Sequence, residues 1–224
     1  MSTVVFDIET LAYPFESMEQ KQQDYLLKFC KTEEEKIIKI QEMALSPFTA
    51  LVIAIGMLNA ETHNGMVLYF ADNESSHKSD DGKIEFIAFT DERKLLEEFW
   101  SIILRYPQFV TFNGRSFDCP FLLLRSAMLK VKPTRNLMPY RYDTKQHCDI
   151  LEQFTFYGAT RRFSLDFICK SFGIQSPKEQ GITGLDLQPL FAQKRFFEIA
   201  EYCIGDVIAT AELYRIWQQY MSGE

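Results

Sequence analysis

The chain has 224 residues, 46% of them hydrophobic and 25% charged, and its formal net charge is −7 at pH 7. This length and composition can bury a full core, so we expect one domain over residues 1–224 rather than two. No apolar run approaches the ~20 residues of a membrane helix, the N-terminus lacks a signal-peptide pattern, and the five cysteines are odd in number and widely spaced. These features argue against a membrane-spanning protein or a disulfide framework and predict a soluble, cytoplasmic protein with reduced thiols.

The first predicted strand ends in two carboxylates. Residues Thr3 to Phe6 are β-branched or aromatic, and Asp7-Ile8-Glu9 follows directly. In a strand, residues two apart share a face, so Asp7 and Glu9 point the same way and repel each other unless a cation lies between them. Carboxylate oxygens suit Mg²⁺ or Mn²⁺, and the sequence has no Cys/His cluster typical of zinc. The alternative is that both acids simply begin a solvated loop.

The next segments alternate between helical and strand patterns. Residues 14–46 are rich in Glu, Gln and Lys with apolar positions at helical spacing, which predicts a helical insertion of one or two amphipathic helices. Leu51 to Leu58 predicts a central strand, and Asn64-Gly65 predicts a hairpin turn into a strand from Met66 to Phe70. Residues 71–83 are polar and are expected to form a loop.

The second half is expected to be mainly helical. Asp91 is a predicted N-cap for a helix from Glu92 to Arg105, and Phe109 to Phe112 is a predicted short strand. A helix is predicted from near Asp118 to Lys130, and a strand near Gln146 to Leu151. A helix near Ser164 to Phe172 follows, and then a loop to Pro189 that carries Gly181 and Gly184. The last predicted element is a long helix from about Arg195 to Tyr220. Asp118 is open to a simple interpretation, an acid near a helix N-terminus.

Asp206 lies in the middle of the last predicted helix, among apolar residues where an unpaired carboxylate is costly. Tyr202 precedes it by four residues, so the two side chains share one helix face. The pair is either a core hydrogen bond or part of an active site.

Charge is unevenly distributed along the chain. Residues 125–170 contain nine Lys or Arg and four Asp or Glu, a local charge of +5, so the rest of the chain sums to −12. This polarity is compatible with a surface that faces phosphates, although a solvated surface is the commoner explanation of a basic cluster.

Three sequence blocks, Phe6 to Thr10 (FDIET), Phe112 to Leu122 (FNGRSFDCPFL) and Tyr202 to Val207 (YCIGDV), resemble the exonuclease motifs of the DnaQ-like 3′–5′ exonucleases. The chain is similar to the proofreading exonuclease domain of family-B DNA polymerases, here expected to stand alone. The resemblance implies an α/β, ribonuclease H-like fold with a mixed five-stranded central sheet flanked by helices. It also implies two divalent ions, Mg²⁺ or Mn²⁺, bound by Asp7, Glu9, Asp118 and Asp206.

The resemblance is closest to the tyrosine (DEDDy) branch of that family. The histidine branch places His five residues before the last Asp, where this chain has Glu201, and Tyr202 stands where the tyrosine branch has its Tyr. We expect Tyr202 to orient the attacking water, because a phenol with a pKa near 10 is a poor base. His147 and Asp149 are expected to be structural.

The implied reaction is metal-dependent hydrolysis of the terminal phosphodiester of DNA or RNA, with release of nucleoside 5′-monophosphates. By resemblance, Ile8, Thr10 and Leu11 hold the terminal nucleotide, and Asn113 and Phe117 line the pocket. Arg161 and Arg162 lie in the net-basic region and are predicted to meet substrate phosphates.

The predicted partner is nucleic acid with a free 3′ end, and single-stranded ends are favoured over long duplexes because the acidic chain offers few phosphate contacts. The insertion is expected to be a lid, a duplex-facing arm, a dimer surface or extra core. Two alternatives stay open: a catalytically silent binding module on the same fold, and a phosphodiesterase acting on short oligonucleotides.

Overall fold

The fold is built on the first strand, whose alternating side chains separate two cores. A computed structural model describes residues 2–175 and 182–223. In this part of the chain, seven strands form one sheet: β1 Thr3–Ala12, β2 Ala50–Asn59, β3 Gly65–Phe70, β4 Ser75–Lys78, β5 Ile84–Phe89, β6 Gln108–Thr111 and β7 His147–Asp149. Their order across the sheet is β4-β5-β3-β2-β1-β6-β7. Pairing is mixed, because β1 is antiparallel to β2 and parallel to β6.

Helices cover both faces of this sheet. The described α-helices are α1 Gln20–Leu27, α2 Glu33–Gln41, α3 Glu92–Ile103, α4 Asp118–Met128, α5 Ile150–Phe154, α6 Leu165–Ser171, α7 Leu187–Ala192 and α8 Phe196–Tyr220. None of those helices is both long enough and apolar enough to span a bilayer.

Side-chain alternation along β1 sends successive residues into different cores. Val5 packs into a core shared with α5, α6, α7 and α8, whereas Val4, Phe6 and Ile8 pack into a second core with α3 and α4. In the second core, Phe6 meets Phe99 edge-to-face at 5.5 Å. Asp7 and Glu9 therefore belong to the face that carries α8, as the two-residue period predicts.

Two sheet predictions were wrong in detail. The sheet has seven strands instead of five, because β4 and β5 are added beside β3. β4 lies within residues 71–83, which were predicted to be a loop. All four of its residues are exposed, so its sequence has no apolar alternation that could identify it.

The predicted hairpin between β2 and β3 is confirmed, but Asn64-Gly65 is not its turn. The left-handed backbone angle falls on His63 (φ 56°), and Gly65 already begins β3. A Cβ at Gly65 would approach the Met57 carbonyl oxygen to 2.4 Å, so this glycine serves close strand packing.

Two further boundaries differ from prediction. The strand predicted up to Leu151 stops at Asp149, where α5 begins, and the loop predicted up to Pro189 contains the start of α7. Gly181, part of that loop prediction, lies outside the described residues.

Residues 14–46, predicted to form one or two helices, contain the helices α1 and α2. Neither α1 nor α2 contains a buried residue, so the insertion adds little core. The turn that follows α2, Glu42–Leu45, contacts the sheet. Met43 is buried there, and the Thr10 hydroxyl donates to the Ala44 carbonyl oxygen at 2.7 Å.

Candidate active site

β1 places Asp7 and Glu9 on one face, directly under α8. The pairing of β1 with β2 slips between Glu9 and Thr10, which is a β-bulge. Bulges re-aim side chains and are frequent beside active sites. The strand thus presents its two carboxylates at an irregularity at the edge of the α8 core.

The loop before α4 brings in the third carboxylate. Asn113 adopts a left-handed angle (φ 62°), and its N–H donates to Asp149 Oδ1 at 3.0 Å, while the N–H of Arg115 donates to Asp149 Oδ2 at 2.9 Å. Asp118 then begins α4 with 2% of its surface exposed, and its Oδ1 accepts a hydrogen bond from the Ile8 N–H at 3.1 Å. This bond ties Asp118 to the residue between Asp7 and Glu9.

α8 supplies the fourth carboxylate and the tyrosine. Tyr202 is 6% exposed and hydrogen-bonds to Asp206, one helical turn away. The helix approaches the sheet closely at Gly56, which pairs with Asp7, because a Cβ there would lie 2.8 Å from Val207 Cγ2. Gly56 therefore lets α8 lie against the strand at the level of Asp7.

Burial and mutual repulsion favour the protonated forms of these carboxylic acids. Burial first, then the charges of Asp118, Glu9 and Asp206, raise the pKa of Asp7 well above its usual value. Burial raises the pKa of Asp118 to about 7, with contributions from the charges of Asp149 and Asp206 and opposition from hydrogen bonds to its own and Ile8 backbone N–H. Such a cluster is stabilised by a cation.

Cys203 is an unpredicted member of the site. Its Sγ and carboxylate oxygens of Asp7 and Glu9 lie within 4.8 Å of one another, and its S–H donates to the Asp7 carbonyl oxygen at 3.6 Å. Burial raises the pKa of the thiol well above its usual value, so the thiol stays protonated. The oxygen donors around it fit a hard divalent ion better than zinc.

The predicted nucleotide contacts are differently placed. Thr10 and Leu11 line a cleft of about 400 Å³ that is completed by the insertion and by α7. The Ile8 side chain, by contrast, is 3% exposed and packs in the second core, and its N–H is bonded to Asp118, so the side chain is not available to a substrate.

The two pocket residues from the α4 loop are held by structural contacts. The Asn113 N–H is already bonded to Asp149, and the Phe117 ring packs on Phe121 at 5.5 Å. Both precede Asp118 in sequence, and their substrate contacts stay predictions.

The cations of the basic stretch over residues 125–170 are not all at the surface. Arg125 is buried and bonded to Glu92, whereas Arg161 and Arg162 are exposed in the loop before α6. The summed charge of the stretch therefore overstates what a phosphate would meet.

His147 and Asp149 have structural contacts, in agreement with the sequence interpretation. His147 Nε2 and the Thr111 hydroxyl share a 2.8 Å hydrogen bond, and the His147 ring stacks on Phe109. Asp149 caps α5 by accepting from the Leu151 and Glu152 N–H groups. Sequence reasoning missed Cys203 and Gly56, although the position of Cys203 beside Tyr202 in a helix was an available signal.

Comparison with known proteins agrees with this architecture. A family model described as a predicted 3′–5′ exonuclease related to the exonuclease domain of PolB matches residues 49–224. DNA polymerase 1 of Sulfurisphaera ohwakuensis is 27% identical over 172 residues, covering 72% of this chain and 19% of that polymerase. DNA polymerase 1 of Saccharolobus solfataricus is 29% identical over 113 residues, 44% of this chain and 13% of that polymerase. The chain thus spans about a fifth or less of these relatives.

A solved family B DNA polymerase from Pyrobaculum calidifontis superposes with a TM-score of 0.62 and 15% identity, covering 97% of this chain and 24% of that chain. This likeness and the mixed sheet confirm the predicted α/β, ribonuclease H-like fold. The family match covers most of the chain, although it begins after Asp7 and Glu9. The chain belongs to the family of predicted 3′–5′ exonucleases related to the exonuclease domain of PolB.

Proposed function

We propose that this chain is a metal-dependent 3′–5′ exonuclease of the tyrosine branch, which hydrolyses the terminal phosphodiester of DNA or RNA and releases nucleoside 5′-monophosphates. The observation that carries the proposal is the convergence of carboxylates from β1, α4 and α8. Beyond the effect of burial, the charges of Asp118 and Asp206 raise the pKa of Asp7, and the charge of Asp206 raises the pKa of Asp118. Carboxylates that are held close together despite their mutual repulsion are typical of a site that binds cations.

Asp7, Glu9, Asp118 and Asp206 would hold two divalent ions, Mg²⁺ or Mn²⁺. When bound there, such ions would lower the pKa of a water molecule and stabilise negative charge on the leaving 3′-oxygen. The chain's own part is positional: Asp118 is fixed by the Ile8 N–H, and the Asp149 carboxylate fixes the loop that delivers Asp118.

Tyr202 has the role of an orienting group rather than a base. Burial, and then the charges of Glu9, Asp206 and Asp7, raise the pKa of its hydroxyl above the usual value. The phenol therefore keeps its proton at neutral pH and acts through hydrogen bonding, to Asp206 or to the attacking water.

The terminal nucleotide is proposed to enter the cleft lined by Thr10 and Leu11, which begins one residue beyond Glu9. The partner is nucleic acid with a free 3′ end. A single-stranded end is favoured because the chain is acidic overall, with a formal net charge of −7, and a long duplex would need more phosphate contacts.

One gel experiment tests the proposal. Purified protein is incubated with Mg²⁺, Mn²⁺ or EDTA and with matched 5′- and 3′-labelled DNA and RNA oligonucleotides. We expect metal-dependent shortening from the 3′ end. Asp7→Ala and Asp206→Ala should abolish it while the protein stays folded, and Glu212→Gln, on the same helix but paired with Arg215, should match wild type.

Binding without cleavage under all metal conditions would instead assign the chain to catalytically silent binding modules. Cleavage confined to dinucleotides would assign it to phosphodiesterases of short oligonucleotides. Full activity in either Asp→Ala variant would refute the metal-site assignment.

A further inference from the structure

A column of stacked cationic and aromatic groups lies on the outer side of α6. The Phe163 and Phe167 rings are parallel within 11° with centroids 4.4 Å apart, and the Arg161 guanidinium lies 5.0 Å from the centre of the Phe163 ring. Phe163 is 37% exposed and Phe167 53% exposed. Aromatic rings with this much open surface offer further stacking faces to a planar ligand.

The column borders a surface groove of about 410 Å³. Phe154 and Phe172 form part of its lining and meet edge-to-face at 5.3 Å. The groove therefore combines open aromatic faces with a depression between α5 and α6 where a flat ring can lie.

The charge around this groove is basic on balance. Arg161 and Arg162 are exposed, and Lys170 lies at the end of α6. The acidic group on the same helix, Asp166, is paired with Lys170 at 3.1 Å. Cations beside aromatic faces match a ligand that alternates phosphates with planar bases, which is single-stranded nucleic acid.

The inner side of α6 connects the groove to the carboxylate site. Ile168 and Cys169 pack in the same core as Tyr202 and Cys203. Burial, and then the charge of Asp206, raise the pKa of the Cys169 thiol. Helix α6 thus has one side in the core that holds Tyr202 and Cys203 and carries the aromatic column on its other side.

We propose that Arg161, Phe163 and Phe167 form a base-stacking platform for the single strand that leads to the 3′ end held at the carboxylates. The platform rests on the proposed function for the direction of the strand. Its binding of single-stranded nucleic acid needs no hydrolysis. Duplex DNA hides its base faces, so the platform also selects unpaired strands.

The test measures binding separately from cleavage. The full chain is titrated in EDTA against 5′-fluorescein-labelled 12-nucleotide single strands of DNA and RNA, and against a 12-base-pair duplex, by fluorescence anisotropy. Phe167→Ala should weaken single-strand binding roughly 5- to 150-fold, the range for losing one base–aromatic stack. Phe167→Leu, which keeps apolar surface without a ring, should lose nearly as much, and duplex binding should change little.

Tyr220→Ala is the matched control, because Tyr220 is 72% exposed at the far end of α8. Thermal unfolding checks that each variant is folded. In steady-state hydrolysis, wild type should have a lower KM for the 12-nucleotide strand than for a dinucleotide. Phe167→Ala should have lost this difference.

If Phe167→Ala binds single strands with an affinity within twofold of wild type, the platform is overturned, and the proposed exonuclease function is unaffected. Loss of affinity in a protein that never cleaves would support the platform and refute the proposed function. A self-association detected by sedimentation that Phe167→Ala abolishes, with unchanged oligonucleotide affinity, would assign the surface to contacts between copies and overturn the proposal.

Discussion

Replacing Asp118 with asparagine is expected to stabilise the metal-free protein near pH 8. Asp118 is 2% exposed, and burial raises its pKa from the usual 3.8 to about 7. Between about pH 4 and pH 7, the folded state therefore keeps a proton that the unfolded state releases. Because the folded pKa is raised, stability is lost as pH increases from about 4 to about 7.

The magnitude follows from the size of the shift. Each pKa unit corresponds to about 1.4 kcal/mol, so the penalty on folding is about 2 kcal/mol at pH 5 and at most about 4 kcal/mol at pH 8. The side-chain amide introduced by Asp118→Asn keeps an oxygen acceptor for the Ile8 N–H, which is bonded to Asp118 at 3.1 Å in the wild-type chain. The substitution thus removes the charge and leaves the hydrogen bond.

The assay is urea unfolding of wild type and Asp118→Asn in EDTA at pH 5 and pH 8, repeated with Mn²⁺. Without metal, the advantage of the variant should grow between pH 5 and pH 8. With Mn²⁺, wild type should gain more stability than the variant, because it has one more anionic ligand. A variant that is less stable than wild type at pH 8 in EDTA would refute the electrostatic account of the site.

Three further predictions concern the tyrosine, the strand–helix contact and the arginines. Tyr202→Phe should lower kcat about 10- to 10³-fold with little change in metal affinity, and the rising limb of its pH–rate profile should remain. A variant with the kcat of wild type would exclude the orienting role. Gly56→Ala should lower the free energy of unfolding in urea by about 1–3 kcal/mol and lower kcat, because the new Cβ would lie 2.8 Å from Val207 Cγ2. Unchanged stability would show that α8 can shift away from β2 without cost. Arg161→Gln with Arg162→Gln should raise KM and reduce the salt slope of single-strand binding by up to about 1.4; an unchanged slope would return both arginines to the solvated surface.

Local periodicity was enough to predict the elements that frame the site. Two-residue alternation put Asp7 and Glu9 on one face of β1, and helical spacing put Tyr202 and Asp206 on one face of α8. These relations hold within one element, so they need no knowledge of what packs against it.

Contacts between distant segments depended on the tertiary structure. The bond from Ile8 to Asp118 spans 110 residues, and the Cys203 thiol meets a strand 196 residues earlier in the chain. Neither follows from a spacing, because sequence periods describe one element and say nothing of which loop or helix is placed against it.

The same limit explains the strands and charges that sequence reasoning placed wrongly. The fully exposed β4 has no apolar pattern of its own and is held as a strand by its pairing with β5. Arg125 counted toward a basic region in sequence, yet it is buried against Glu92. By itself, the sequence determined which carboxylates share a face of β1 and that a tyrosine and a carboxylate share a face of α8. Only tertiary packing decided their partners, because burial and strand pairing join residues that are far apart along the chain.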